Sequence, residues 1–223
     1  MIVLCAGPKG GCGASTLAAT VAAGLVERGV APHRILLLDA GPHATLSQWA
    51  QVAQEHGRTL PPVARWRPGC DAAALARGFE HVLLDGPAPL GRGGALPPDL
   101  WLAPVRPVGP DTWSLGQLRC TSWTGPRGRL RVVPWRVPPR AKFAPWRRAL
   151  EADGFAVAPI LARDRLAYAH ALADGRLPTR AGDVAVRAEA AALGGYVLGW
   201  GAVDRTAQPK EAVCASLPRR LLH

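Results

Sequence analysis

Eight consecutive residues, Lys9-Gly10-Gly11-Cys12-Gly13-Ala14-Ser15-Thr16, carry the densest chemical signal in the chain. Their glycines permit dihedrals closed to other residues, so successive backbone N–H groups can converge on one anion at the start of a helix. Ser15 and Thr16 supply hydroxyls there, and Lys9 supplies a cation. In the widespread form of such a loop a lysine follows the last glycine and reaches the outer phosphates, while the next hydroxyl holds Mg²⁺. Here Ala14 occupies the lysine's position and Ser15 keeps the hydroxyl. Asp39 and Asp85 are the acids of interest, because each closes an apolar run. An acid at the end of a strand, beside a phosphate loop, suits Mg²⁺; the plainer reading of each is a turn cap.

These residues need a scaffold, and the apolar runs supply one. Ile2 to Ala6, Arg34 to Asp39, His81 to Asp85, Leu100 to Pro104, Leu130 to Val133 and Val157 to Leu161 read as strands, alternating with helical segments. Nearly continuous apolar runs fit a parallel sheet covered on both faces, so the expected fold is α/β. Ser15 to Arg28 carries Leu17, Val21 and Leu25 at helical spacing and meets Gly29 where a helix stops. Asp39 and Asp85 then lie at the carboxyl ends of strands, where open α/β sheets bind ligands. Pro61-Pro62, Gly91 to Pro98 and Pro134 to Pro139 read as loops. The expected division is one domain over residues 1–204 and a basic tail over 205–223.

The loop resembles that of the ParA/MinD-type deviant P-loop ATPases, whose pattern is Lys-Gly-Gly-x-Gly-Lys-[Ser/Thr]-[Ser/Thr], with Lys9 as the signature lysine. Ile35 to His43 is similar to the family's Asp-x-Asp-Pro-Gln strand, and Leu46-Ser47-Gln48-Trp49 to the segment after it. His81 to Pro87 resembles the third motif, Leu100 to Pro107 with Asp111 and Trp113 the next strand and loop, and Arg165 to Ala169 with Ala173-Asp174-Gly175 the C-terminal helix. The resemblance spans about residues 1–195 and is to the small plasmid-partition members. It implies a single-domain P-loop fold with ATP and Mg²⁺ as cofactors. Residues 9–16 would form the nucleotide contacts, Ser15 and Asp85 would hold the metal, and Lys9 and Asp39 would be catalytic. It also implies a nucleotide-sandwich homodimer in which Lys9 reaches the partner's phosphates, nonspecific DNA binding, and a ParB-like or cargo adaptor.

The departures fall on nucleotide contacts. Ala14 replaces the loop lysine, Gly41 the second acid, His43 a glutamine, and Trp135 the asparagine that would contact adenine. A hydrogen bond to a charged group is worth about 1.5–3 kcal/mol, so loss of the lysine alone weakens triphosphate binding roughly ten- to a hundred-fold. Weak binding with impaired hydrolysis is the expectation.

Charge is the second signal. The chain carries a formal net charge of +11. No acid lies between Asp111 and Glu151, a stretch holding Arg119, Arg127, Arg129, Arg131, Arg136, Arg140, Lys142, Arg147 and Arg148. Trp123, Trp135 and Trp146 are interleaved, a pattern suited to phosphates as well as to a solvated face. Arg140, Lys142, Arg147 and Arg148 are the strongest DNA candidates, since Phe143 to Leu150 reads as a helix start. Five scattered cysteines lack a metal-ligand spacing, and the histidines form no triad set. Cys12 sits where a helix dipole lowers a thiol pKa, although a small space-filler is the plainer role. With no basic leader and no apolar span of transmembrane length, a cytoplasmic protein is expected, and the resemblance implies association with the nucleoid. Two functions stay open: a ParA-like positioning switch, and a non-hydrolysing scaffold comparable to the accessory protein of cellulose-synthase operons. A metabolic kinase lacks a substrate acid or base.

Overall fold

The computed structural model describes residues 1–67, 70–86, 97–120 and 130–202. The expected basic tail and part of the acid-free stretch, with Trp123, Arg127 and Arg129, lie outside them. Six strands form one sheet: β1 (Ile2–Cys5), β2 (Ile35–Asp39), β3 (Val63–Arg65), β4 (His81–Asp85), β5 (Leu100–Val105) and β6 (Leu130–Pro134). Their order is β3-β2-β4-β1-β5-β6, and every pair is parallel. β1 is thus central, and Cys5, Asp85 and Asp39 are register partners across β1, β4 and β2.

The apolar runs become strands because both sheet faces are covered. Val3, Cys5, Ile35, Leu37 and Leu83 pack on one side beneath α1 (Ala14–Glu27), α2 (Thr45–Glu55), α7 (Leu166–Ala173) and α8 (Val184–Ala202). Leu4, Leu36, Leu38 and Trp101 face the other side, covered by α5 (Leu115–Cys120) and α6 (Phe143–Ala152). Two short helices complete the set, α3 (Ala72–Ala76) and α4 (Gly109–Trp113).

α1 is buried from Leu17 to Leu25 and ends as its sequence suggests. Gly29 adopts φ 92°, its N–H bonds Val26 O at 3.0 Å, and Val30 N bonds Leu25 O at 3.0 Å, the double closure of a Schellman motif. The helix approaches α8 through Gly24 and Gly194: a Cβ on Gly24 would lie 1.9 Å from Ala190 O, and one on Gly194 2.2 Å from Gly24 C. α1 is therefore clamped at both ends of its length, by the loop before it and by α8 behind it.

Two expectations change. Val63–Arg65 is a strand although it is only three residues long, because it completes the edge beside β2. Val157 to Leu161 is not a regular strand. It touches β6 by a single bridge, Val132 with Val157, while Val132 N bonds Ala156 O at 2.9 Å and Ala158 N bonds Val132 O at 2.8 Å. Pro134, lacking an N–H, cannot donate to Ala158 O where the ladder would continue, and the next bond, Ala162 N to Pro134 O at 2.9 Å, is out of step.

Candidate functional site

A cavity of about 660 Å³ opens at the carboxyl end of the sheet, lined by Gly7 to Thr16, Gly41 to His43, Asp85, Trp135, Asp164 to Leu166, Tyr168 and Ala169. All eight expected loop residues, Lys9 to Thr16, line it. Gly11 at φ 75° and Gly13 at φ 99° occupy left-handed backbone, the reason glycine is needed at both. Gly13 is doubly constrained, since a Cβ there would lie 2.5 Å from Trp135 Nε1. Leu17 N bonds Gly13 O at 2.8 Å, so α1 starts directly from the loop.

Trp135, placed by sequence at the base-reading position, is buried and braces the loop from beneath, with its ring 5.5 Å from that of Tyr168. Tyr168 donates to Glu189 Oε2 at 2.6 Å, which ties the brace to α8. Burial and the bond to Glu189 push the Tyr168 phenol far above its ordinary range. Arg136 follows at φ 52°, a strained conformation for a residue with a Cβ. That turn sends Trp135 inward and leaves Arg136 at the rim, where its Nε pairs with Asp164 Oδ1 at 3.1 Å.

The acids differ sharply in what they have left to bind. Asp39 is fully buried and saturated. Its Oδ1 accepts from Gly41 N at 3.2 Å and Arg65 NH1 at 2.8 Å, and its Oδ2 accepts from Ser47 N at 2.9 Å and Ser47 Oγ at 2.8 Å. Asp85 is also buried, yet its Oδ2 has no hydrogen-bond partner. Burial, opposed by the Ser15 hydroxyl that bonds it, raises its pKa to about 6. A Cβ on Gly41 would lie 3.5 Å from Asp39 Oδ1 and 3.7 Å from Asp85 Oδ2, so an acid there would be the third carboxylate in one corner.

The orphaned oxygen tests whether Mg²⁺ suits this corner. Ser15 and Asp85 present a hydroxyl and an unsatisfied carboxylate oxygen to the cavity, hard ligands of the kind Mg²⁺ takes alongside phosphates and water. They fit that ion. No group of three or more His, Cys, Asp or Glu side chains able to hold a metal occurs among the described residues, so phosphate oxygens and water would complete its shell.

Lys9 does not point away from its own chain: its Nζ pairs with Asp111 of α4. Cys12 is a space-filler against Gly7, whose Cβ would lie 2.2 Å from the sulfur, and burial raises its thiol pKa rather than the helix lowering it. The basic residues are divided. Arg131 stacks 4.4 Å over Trp200 at the far end of β6, and Arg136 is taken by Asp164 at the cavity. Arg140, Lys142 and Arg148 are exposed at and before α6, whereas Arg147 bonds Glu151 at 2.8 Å. Arg65, Asp164 and Glu189 had no local signature in the sequence, because each acts through a partner 21 or more residues away.

A glycine loop running from a central parallel strand into a buried helix defines a P-loop NTPase fold. Its structural neighbours are ParA/MinD-type P-loop ATPases, and the chain resembles them over nearly its whole length. A plasmid partition protein of Borrelia burgdorferi B31, bound to AMPPNP, matches with a TM-score of 0.64 and 14% identity over 89% of this chain and 98% of that one. The MinD cell division protein of Aquifex aeolicus matches with a TM-score of 0.61 and 15% identity, over 89% and 97%. In sequence, the chain is 26% identical over 179 residues to the maintenance of carboxysome distribution protein A of Halothiobacillus neapolitanus, covering 75% of this chain and 81% of that protein. No family model matches the chain. Among the described residues no helix is long and apolar enough to cross a membrane.

Proposed function

We propose that the chain is a ParA-like partition or positioning protein of the cytoplasm whose nucleotide site binds Mg-ATP weakly and turns it over near background. One observation carries this reading: the loop retains its left-handed glycines, its hydroxyl and the unsatisfied Asp85, but Ala14 brings no charge to them. Similarity to plasmid-partition and carboxysome-distribution proteins supports the positioning role. A nucleotide-bound homodimer, nonspecific DNA and a ParB-like or cargo adaptor are its partners in this reading. Lys9 must leave Asp111 before it can cross to a second subunit.

Steady-state phosphate release with DNA present tests the reading. Wild type is expected at background, and a rate typical of an active partition ATPase overturns it. Ala14→Lys should tighten ATP about ten- to a hundred-fold. Turnover should need Gly41→Asp as well, because Asp39 is saturated and has no lone pair left to orient a water.

DNA retention is the second measurement. Arg140, Lys142, Arg147 and Arg148 together engage about four phosphates, which predicts a log-affinity against log-salt slope of about −4. Replacing Lys142 and Arg148 by glutamate should flatten the slope and weaken every sequence alike. No retention at low salt, with or without nucleotide, leaves the charge as a solvated face. The non-hydrolysing scaffold of a cellular machine, of the cellulose-synthase accessory kind, then becomes the function; the pairing of Lys9 within its own chain favours it.

A further inference from the structure

The cavity's choice among nucleotides, which rests on the proposal that it is a nucleotide site, turns on its cations. The lysine and arginines lining the cavity are Lys9, Arg136 and Arg165. Each has a carboxylate partner in its own chain: Lys9 has Asp111, Arg136 has Asp164 at 3.1 Å, and Arg165 has Glu189 at 3.4 Å. Lys9 matters most, because Ala14 leaves it as the one lysine of the loop.

The pair is asymmetric. The Lys9 side chain is 44% exposed, whereas that of Asp111 is 18% exposed. When Lys9 departs, it can be hydrated, but Asp111 keeps an ionised carboxylate in a partly desolvated place without its counter-charge. That cost opposes transfer of Lys9 to any phosphate. Meanwhile the corner beyond the loop holds two carboxylates within 4 Å of one point above Gly41: Asp39, whose charge Arg65 already meets, and Asp85, whose Oδ2 has no partner. A third phosphate therefore adds negative charge with no free lysine to meet it.

We infer that Asp111 sets the nucleotide preference of this site. By holding Lys9 it withholds the loop's lysine from the outermost phosphate, and a nucleoside diphosphate binds at least as tightly as the triphosphate. Occupancy then reports the adenosine and the inner phosphates, which the loop N–H groups hold, and is indifferent to the outermost phosphate. A site built this way serves as a fixed structural element better than as a timer.

The test is fluorescence anisotropy of the full chain with Mg²⁺ and two probes, mant-ADP and the non-hydrolysable mant-AMPPNP. Wild type should bind mant-ADP as tightly as mant-AMPPNP or more tightly. Asp111→Asn, which keeps the shape and removes the charge, should shift the ratio about fivefold toward the triphosphate, the value of about 1 kcal/mol. The gain should vanish in the double variant Asp111→Asn/Lys9→Ala, which identifies Lys9 as its source. The inference is overturned if wild type prefers the triphosphate probe by more than about threefold, well above a ratio of one. It is overturned equally if Asp111→Asn leaves the ratio unchanged or if the gain survives loss of Lys9. The wild-type ratio stands alone as a test should Asp111→Asn fail to fold. Failure of both probes to bind removes the nucleotide reading and this inference together, whereas a triphosphate preference removes the inference alone.

Discussion

Asp39→Ala is expected to destabilise the protein by about 3 kcal/mol, the lower end of the range for breaking a buried ion pair. The lower end applies because Arg65, the cation of the pair, is 29% exposed and water relieves part of its loss. The remainder comes from the other donors. Gly41 N, Ser47 N and Ser47 Oγ all lose their acceptor, and these tie the β2 turn to the start of α2. For a chain of this size about 3 kcal/mol lowers Tm by about 6–12 °C. Urea and thermal unfolding of the variant would measure it. A loss below about 1 kcal/mol would mean that Arg65 and Ser47 re-pair with water at little cost, and would reopen Asp39 as a free acid for chemistry.

That expectation inverts the sequence view of Asp39, and the reason is instructive. An aspartate closing the apolar run Ile35 to Asp39 marks the ligand edge of a parallel sheet, and it is there. Its lone pairs are consumed by Arg65, which sits on a strand of three residues, too short for a periodic signal, after two prolines that read as loop. Long-range pairing of this kind is invisible to local pattern. The same holds for Lys9: its place in the glycine loop is plain, but its carboxylate partner is 102 positions further along the chain, at Asp111.

The sheet was legible because burial on both faces writes itself as unbroken apolar runs, as in Leu36-Leu37-Leu38 and Leu83-Leu84. α1 was legible because its periodicity, its start at Gly13 and its stop at Gly29 agree. The edge beyond β6 was not, since Pro134 withholds the N–H the ladder needs while Val157 to Leu161 keep a strand's composition. Charge was read least well. Consecutive basic residues look like one patch along the sequence, but β6 carries Arg131 to one end of the sheet and the turn after it carries Arg136 to the other.

Asp85→Asn should stabilise the protein at pH 8 by about 3 kcal/mol and change nothing below about pH 4. The carboxyl titrates at about 6 in the folded chain against an ordinary value of 3.8, because burial disfavours its charged form. A raised carboxyl pKa means that the folded state binds the proton more tightly than the unfolded state. The protonated group's contribution is therefore fully present below about pH 4 and is lost as pH rises through about 6, leaving a buried charge above it. Asparagine is never charged, so the variant escapes the loss while keeping an oxygen for the Ser15 hydroxyl. Mg²⁺ with nucleotide acts in the opposite direction. A cation on Asp85 Oδ2 favours the ionised carboxylate, so wild type should gain Tm from Mg-nucleotide at pH 8 more than at pH 5. Asp85→Asn should gain little at either pH. Thermal unfolding of both proteins at the two pH values, with and without Mg-nucleotide, separates the roles: a variant no more stable than wild type at pH 8 shows that Asp85 carries no burial cost. Equal Mg-nucleotide gains in the two proteins show that the metal does not use this oxygen.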